Sequence, residues 1–347
     1  MNVKRMKMVI CIILSALMIL SITACGTKST SGSSAGSASG SSSSANSKND
    51  SKSHKVAMIL PGSITDKSWN YTSYDGLKKI EADGAEISYQ EKVDTSQVED
   101  SIRTYASSGY DLIYIGSNIF EDQTVSVAAD FPDVTFIIIS GNTNTGNVHS
   151  FHMSDAEKGF MMGIVAGLVT KSNSVGLVSS VKITPLLNAE AGFKYGVSYV
   201  NPDAQVDSVI TGNSSDTAAA KETAKAMIDN GADVIAANAN AASSGPIQAA
   251  EENSVSCIAP GPGYEDVAPS TLLTSVIMDN GIPVYSMYQK YLEGNLPSDI
   301  YEYGAKEGVV SMGEWQNNAK ITDEIKEKVQ QVYDDLKNGK IDVPTAS

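Results

Sequence analysis

Residues 107–113 read SSGYDLI, and residues 229–235 read DNGADVI. In both, a helix-like segment closes on a glycine and an aspartate then leads an apolar, strand-like run. Glycine just past a helix is the expected C-terminal cap, because it adopts the left-handed conformation without steric cost. A helix–glycine–strand junction repeated about 120 residues apart predicts two similar α/β lobes of ordinary domain size.

Outward from these junctions, short β-branched runs alternate with amphipathic segments, the pattern of βα units in a parallel sheet. Strands are predicted at Lys55–Leu60, Glu86–Gln90, Asp111–Ile115, Val134–Ile139 and Val148–His152. A second set follows at Ser174–Ser179, Gln205–Ile210, Asp233–Ala237 and Val255–Ala259. Helices are predicted at Asp75–Ala82, Gln97–Ser107, Ala156–Thr170, Ala189–Val200, Ala218–Asn230 and Gly245–Asn253. A helix at Asp279–Glu293, a strand at Gly308–Met312 and a charged helix at Thr322–Asn338 come after two complete lobes, and such additions usually return across a hinge. The expected organisation is an N-terminal lobe over 55–152, a C-terminal lobe over 153–278 and returning segments over 279–347.

The chain begins MNVKRMKMVICIILSALMILSITAC. Three cations, an apolar segment from Val9 to Ile22 and a small-residue end make residues 1–24 an export signal rather than a core helix. The stretch Leu20-Ser21-Ile22-Thr23-Ala24-Cys25 resembles the bacterial lipobox, so Cys25 is expected to be the lipidated first residue of the mature chain, on the extracytoplasmic face of the cell membrane. Residues 25–54 are rich in Ser and Gly, a composition that cannot bury enough apolar surface to order itself, and read as a flexible tether. Cys11 leaves with the signal, so no disulfide is available to the mature domain, and Cys257 reads as a small buried hydrophobe.

The formal charge is −15. An acidic surface argues against nucleic acid as a partner, since that role normally begins with a basic footprint. Chemistry is also sparse. The only histidines are His54, His149 and His152; the last two, three apart on a strand, point to opposite faces, which argues against a shared metal site. No H-E-x-x-H, C-x-x-C, G-x-S-x-G or Walker lysine is present. No catalytic residue, metal or cofactor is expected.

In open α/β sheets, ligands bind beyond the carboxyl ends of the strands. The stretch PGSITDKSWNYTSYDG, residues 61–76, lies at such a place and gathers Asp66, Trp69 and Asn70. Asp66 and Asn70 offer an acceptor and a donor to a ligand edge, although Asp66 is equally well placed to cap a helix. Asn118, Asp155, Asn238, Asn240 and Tyr264 also stand beyond predicted strand ends. They are candidate wall residues, or ordinary loop positions.

With these phrases in view, the chain resembles the basic membrane protein (BMP) family of substrate-binding lipoproteins, which includes purine nucleoside receptors of ABC importers. The matching stretches are Asp66-Lys67-Ser68-Trp69-Asn70, Tyr74-Asp75-Gly76-Leu77-Lys78-Lys79, Gly109-Tyr110-Asp111-Leu112-Ile113, Glu190-Ala191-Gly192-Phe193, Asn201-Pro202-Asp203, Asn230-Gly231-Ala232-Asp233-Val234 and Leu273-Thr274-Ser275-Val276. The resemblance implies a type I periplasmic-binding-protein fold: two Rossmann-like lobes on a hinge, closing on a small molecule in the cleft between them. It also implies a monomer that delivers its ligand to separate ABC permease subunits, with an aromatic at the position of Trp69 stacking on a base; the residues alone leave open that Trp69 is a core residue of the first helix. A surface sensor docking onto a signalling partner would use the same cleft. Three positions depart from nucleoside-binding relatives: Leu60 stands for an aspartate, Pro260-Gly261-Pro262-Gly263-Tyr264 for an acidic ribose-binding phrase, and Met278 for a lysine. Losing groups that read hydroxyls abolishes recognition of them, so a nucleobase or similar flat heterocycle is expected rather than a ribonucleoside.

Overall fold

The computed structural model describes residues 53–66, 69–316 and 321–346. The export signal, Cys25, most of the tether, Lys67 and Ser68 lie outside the described residues. In chain order the first elements are β1 (Lys55–Ile59), α1 (Trp69–Ala82), β2 (Glu86–Gln90), α2 (Val98–Ser107), β3 (Leu112–Ile115), α3 (Glu121–Ala128), β4 (Thr135–Ile139) and β5 (Val148–Met153). There follow α4 (Asp155–Val169), β6 (Ser174–Ser179), α5 (Thr184–Val200), β7 (Gln205–Ile210), α6 (Thr217–Asp229), β8 (Val234–Asn238), α7 (Ser244–Glu252) and β9 (Ser256–Ala259). The chain closes with β10 (Leu272–Met278), α8 (Gly281–Leu292), β11 (Tyr301–Tyr303), β12 (Val310–Met312) and α9 (Asp323–Lys337).

These strands form two six-stranded sheets, ordered β2-β1-β3-β4-β5-β11 and β7-β6-β8-β9-β10-β12. The first is parallel throughout, and in the second only β12 runs antiparallel. Both lobes thus repeat one strand order, a doubly wound arrangement with helices on both faces. Burial on both faces is why β3 and β4 read as unbroken apolar runs instead of alternating. On one face of the first sheet Val56 and Met58 pack with Leu77 and Ile80 of α1 and with Val284 and Met287 of α8. On the other, Ala57 and Ile59 meet Val98 and Ile102 of α2 and Val127 of α3. Cys257 is buried in β9 among Ile235, Ala237 and Ala259.

The repeated junction does the same work in each lobe. Gly109 and Gly231 adopt φ of 78° and 104°. The aspartate two residues on ties the amino end of the neighbouring strand: Lys55 N donates to Asp111 Oδ2 at 2.9 Å. In the second lobe Lys171 N and Ser172 N donate to Asp233 Oδ2 at 2.7 and 3.0 Å, and Thr170 Oγ1 donates to Asp233 Oδ1 at 2.6 Å.

The chain passes between the sheets three times: from β5 to α4, from β10 to α8, and from β11 to β12. Helix α8 joins the first lobe's core and α9 the second's, through Val329, Val332 and Leu336. Met278, at the second crossing, packs against both.

Inside the second lobe α4 and α5 meet along glycines. A Cβ on Gly159 or Gly163 would collide with the backbone oxygen of Ala189 or Phe193, and one on Gly192 or Gly196 with that of Ala156 or Phe160.

Three elements were not anticipated from the sequence: α3, β10 and β11. Two helices also start earlier than expected, α1 at Trp69 rather than Asp75 and α5 at Thr184 rather than Ala189. The α1 extension is stabilised from outside the helix, because Asp66 accepts from the Asn70 and Tyr71 backbone amides at 3.0 Å each, satisfying N–H groups that have no partner within the helix.

Candidate functional site

The carboxyl ends of the two sheets are brought together at the first crossing. Ser154 N donates to Tyr303 O of the first sheet at 2.9 Å. Asp155 then opens α4, and one turn later Lys158 reaches β8, its Nζ donating to Asn238 Oδ1 at 3.4 Å. On the opposite flank Tyr264, in the loop after β9, lies within the electrostatic field of Asp66 from the first lobe. Burial raises the Tyr264 phenol above its usual range and the Asp66 carboxylate raises it further, against a lowering hydrogen bond with Ser243.

On the first lobe's side, Trp69 is the opening residue of α1. Its indole Nε1 donates to Gly116 O, at the end of β3, at 2.7 Å. Asn280 Nδ2 donates to the Trp69 carbonyl at 3.2 Å, so the residue is held from two sides; it is half-buried and packs against the first lobe's core. Asp66 and Asn70 are drawn into the loop. Asn70 Nδ2 donates to Asp66 Oδ2 at 2.7 Å and Gly62 N donates to Asn70 Oδ1 at 3.1 Å. Added to the helix cap, these bonds make Asp66 and Asn70 the frame that sets the Trp69 ring. Asn118 is exposed beyond β3, opening a short 3₁₀ turn.

At the second lobe's strand ends the polar side chains are more deeply buried. Asn238 is 5 % exposed; its Oδ1 faces Lys158 while its Nδ2 has no hydrogen-bond partner. Ser179, paired with Asn238 across β6 and β8, is fully buried with an unpartnered Oγ. Asn240 is exposed and adopts φ of 52°, its Nδ2 donating to Ser180 Oγ at 3.3 Å and Ser214 Oγ at 3.4 Å. Burial drives the Asp155 carboxyl up to about 7, with Glu302 adding to the shift and Lys158 opposing it. Burial likewise lowers Lys158, and Asp155 opposes that.

Lys158 and Ser179 were not among the residues expected from the sequence. The signal for Lys158 was a lone cation immediately before the apolar run GFMMGIVAGLV; for Ser179 there was none, since a serine ending a strand is ordinary. None of the three departing positions carries a polar side chain here. Leu60 is fully buried in the first core, Gly261 is buried beyond β9, and Met278 bridges the cores. His152 Nε2 lies 2.7 Å from Gly141 O, and among the described residues no group of His, Cys, Asp and Glu is placed to hold a metal ion. Nor is any helix among them long and apolar enough to cross a membrane.

Two parallel-sheet lobes, crossed three times and presenting their carboxyl ends to each other, define a periplasmic-binding-protein fold. A solute-binding protein of an ABC transporter from Conexibacter woesei superposes with a TM-score of 0.73 at 23% identity, over 84% of this chain and 99% of that one. The chain belongs to the Bmp family, ABC transporter substrate-binding protein PnrA-like, whose profile matches residues 53–347. It is 28% identical to a purine-binding protein of Brucella abortus, over 83% of this chain and 82% of the relative. It is also 28% identical to the transcriptional activator protein med of Bacillus subtilis, over 76% of this chain and 82% of the relative.

Proposed function

We propose that this protein is a lipid-anchored, extracytoplasmic receptor that binds a flat heterocycle, a purine base, in the cleft between its lobes and presents it to an ABC permease. The observation that carries the reading is Trp69: an indole pinned at its N–H edge to Gly116, partly exposed at a strand's carboxyl end, beside a framed loop. An aromatic face held in one orientation is a stacking platform, and base–aromatic stacking contributes roughly 1–3 kcal/mol. The name of the Brucella relative supports a purine as the class. Leu60, Gly261 and Met278 offer no side-chain hydrogen bond, so ribose hydroxyls would lose partners on closure, and a free base is preferred to its nucleoside.

The test is titration of the detergent-solubilised protein with bases and nucleosides, followed by tryptophan fluorescence and thermal shift. Trp69→Phe retains binding, whereas Trp69→Ala weakens it roughly tenfold to a hundredfold. Nucleosides binding as tightly as bases, or no loss on Trp69→Ala, would overturn the reading. The anchor at Cys25 has its own check: Cys25→Ser abolishes labelling with palmitate, and a label that persists refutes it.

A further inference from the structure

We propose that Lys158, Asn238 and Ser179 form a hydrogen-bond-donating pole in the cleft floor that selects ligands by an acceptor group, so that 6-oxopurines bind in preference to adenine. The proposal rests on the purine reading above and adds to it which face of the ligand is recognised.

Lys158 is 8 % exposed on the first turn of α4, and among the described residues its Nζ has one hydrogen bond, the 3.4 Å contact to Asn238 Oδ1. Among the described residues no carboxylate lies within ion-pairing distance of it; Asp155 acts on it only through its field. An ammonium has three protons to donate, and a buried charge without partners is among the costliest things a fold can hold. Lys158 also fixes the Asn238 amide. Turning that amide over would set its NH2 against the ammonium, so Oδ1 faces Lys158 and Nδ2 points elsewhere, with no acceptor. Ser179 stands opposite Asn238 in the strand register, on the sheet face that carries Val175, Leu177, Val234 and Ala236 beneath α4.

Lys158 and Asn238 leave an excess of buried donors at the strand ends, and the Ser179 hydroxyl, which can donate or accept, has its own proton free to give. Buried polar groups in native proteins find partners, and the partner that fits here is an oxygen or ring nitrogen with no proton. Guanine offers two such acceptors side by side, O6 and N7, and hypoxanthine and xanthine carry the same pair; adenine replaces O6 with an amino donor. Adenine in this position would set donor against donor.

Isothermal titration of the detergent-solubilised protein with hypoxanthine, guanine, xanthine and adenine tests the assignment. The oxopurines are expected to bind at least about tenfold more tightly than adenine. Lys158→Met is expected to erase that preference and to raise the melting temperature of the ligand-free protein, since it removes an uncompensated buried charge. Asn238→Ala is a second variant expected to narrow the preference. Adenine binding as tightly as hypoxanthine, a preference that survives both substitutions, or a ligand-free Lys158→Met protein that melts lower would each overturn the proposal while leaving the purine reading intact. Failure of every purine to bind would overturn both.

Discussion

Asp155 is protonated more readily in the folded chain than in the unfolded one, because burial at the first crossing raises it to about 7, with Glu302 adding and Lys158 opposing. Between an ordinary carboxyl value of about 4 and about 7 the folded state therefore holds the extra proton, and stability falls as pH rises across that window. The ligand-free protein is expected to melt lower at pH 8 than at pH 5, and Asp155→Asn to flatten that slope; a slope unchanged in the variant would refute the assignment. Asp233 works in the opposite sense. Burial pushes its carboxyl up, but the hydrogen bonds from Thr170, Lys171 and Ser172 prevail and hold it below its usual range. Residues of this second kind were legible in the sequence, because glycine, aspartate and strand follow one another within seven positions in SSGYDLI and DNGADVI. Lys158 was not, since the residue its ammonium meets, Asn238, lies 80 positions away on β8.

Among the elements, α4 and α5 depend on the absence of side chains. Their glycines let backbone approach backbone, and a methyl group on Gly163 would meet the Phe193 carbonyl, which cannot swing aside as a flexible side chain would. Gly163→Ala is expected to lose about 1–3 kcal/mol in denaturant unfolding, the cost of overpacking. Gly261→Ala, where a Cβ would meet nothing within 4 Å, should change stability by less than about 0.5 kcal/mol. Equal losses at the two sites would disprove the seam's role. The spacing of Gly159, Gly163 and Gly167 is visible in the sequence, but only the partner helix gives it meaning. The first nine strands were legible to within a residue or two, whereas β10, the seven-residue run LLTSVIM, was not. β11 was missed because three residues, YEY, carry no period, and α3 because EDQTVSVA has few apolar positions. The sequence offered Asp66 as a cap, and the structure uses it so, although the helix was expected to begin only at Asp75.

At the scale of the whole molecule, the repeated junction foretold two lobes, and the tail was expected to return across a hinge. Which lobe each piece joins was not written locally: α8 and β11 go to the first, β12 and α9 to the second. That interleaving suits closure, because two bodies joined by short crossings can rotate about them without either core being rebuilt. It has another consequence, in time rather than in space. β11 pairs with the outer side of β5, yet it is made of residues 301–303, after every parallel strand of the other sheet. A chain emerging amino end first therefore exposes the open side of β5 through the making of β6 to β10. An unpaired strand side is a template for any extended neighbour. The opening half of this protein is thus sealed only after the five parallel strands of the other half have been made, and the interval before sealing lengthens with every residue placed between Met153 and Tyr301.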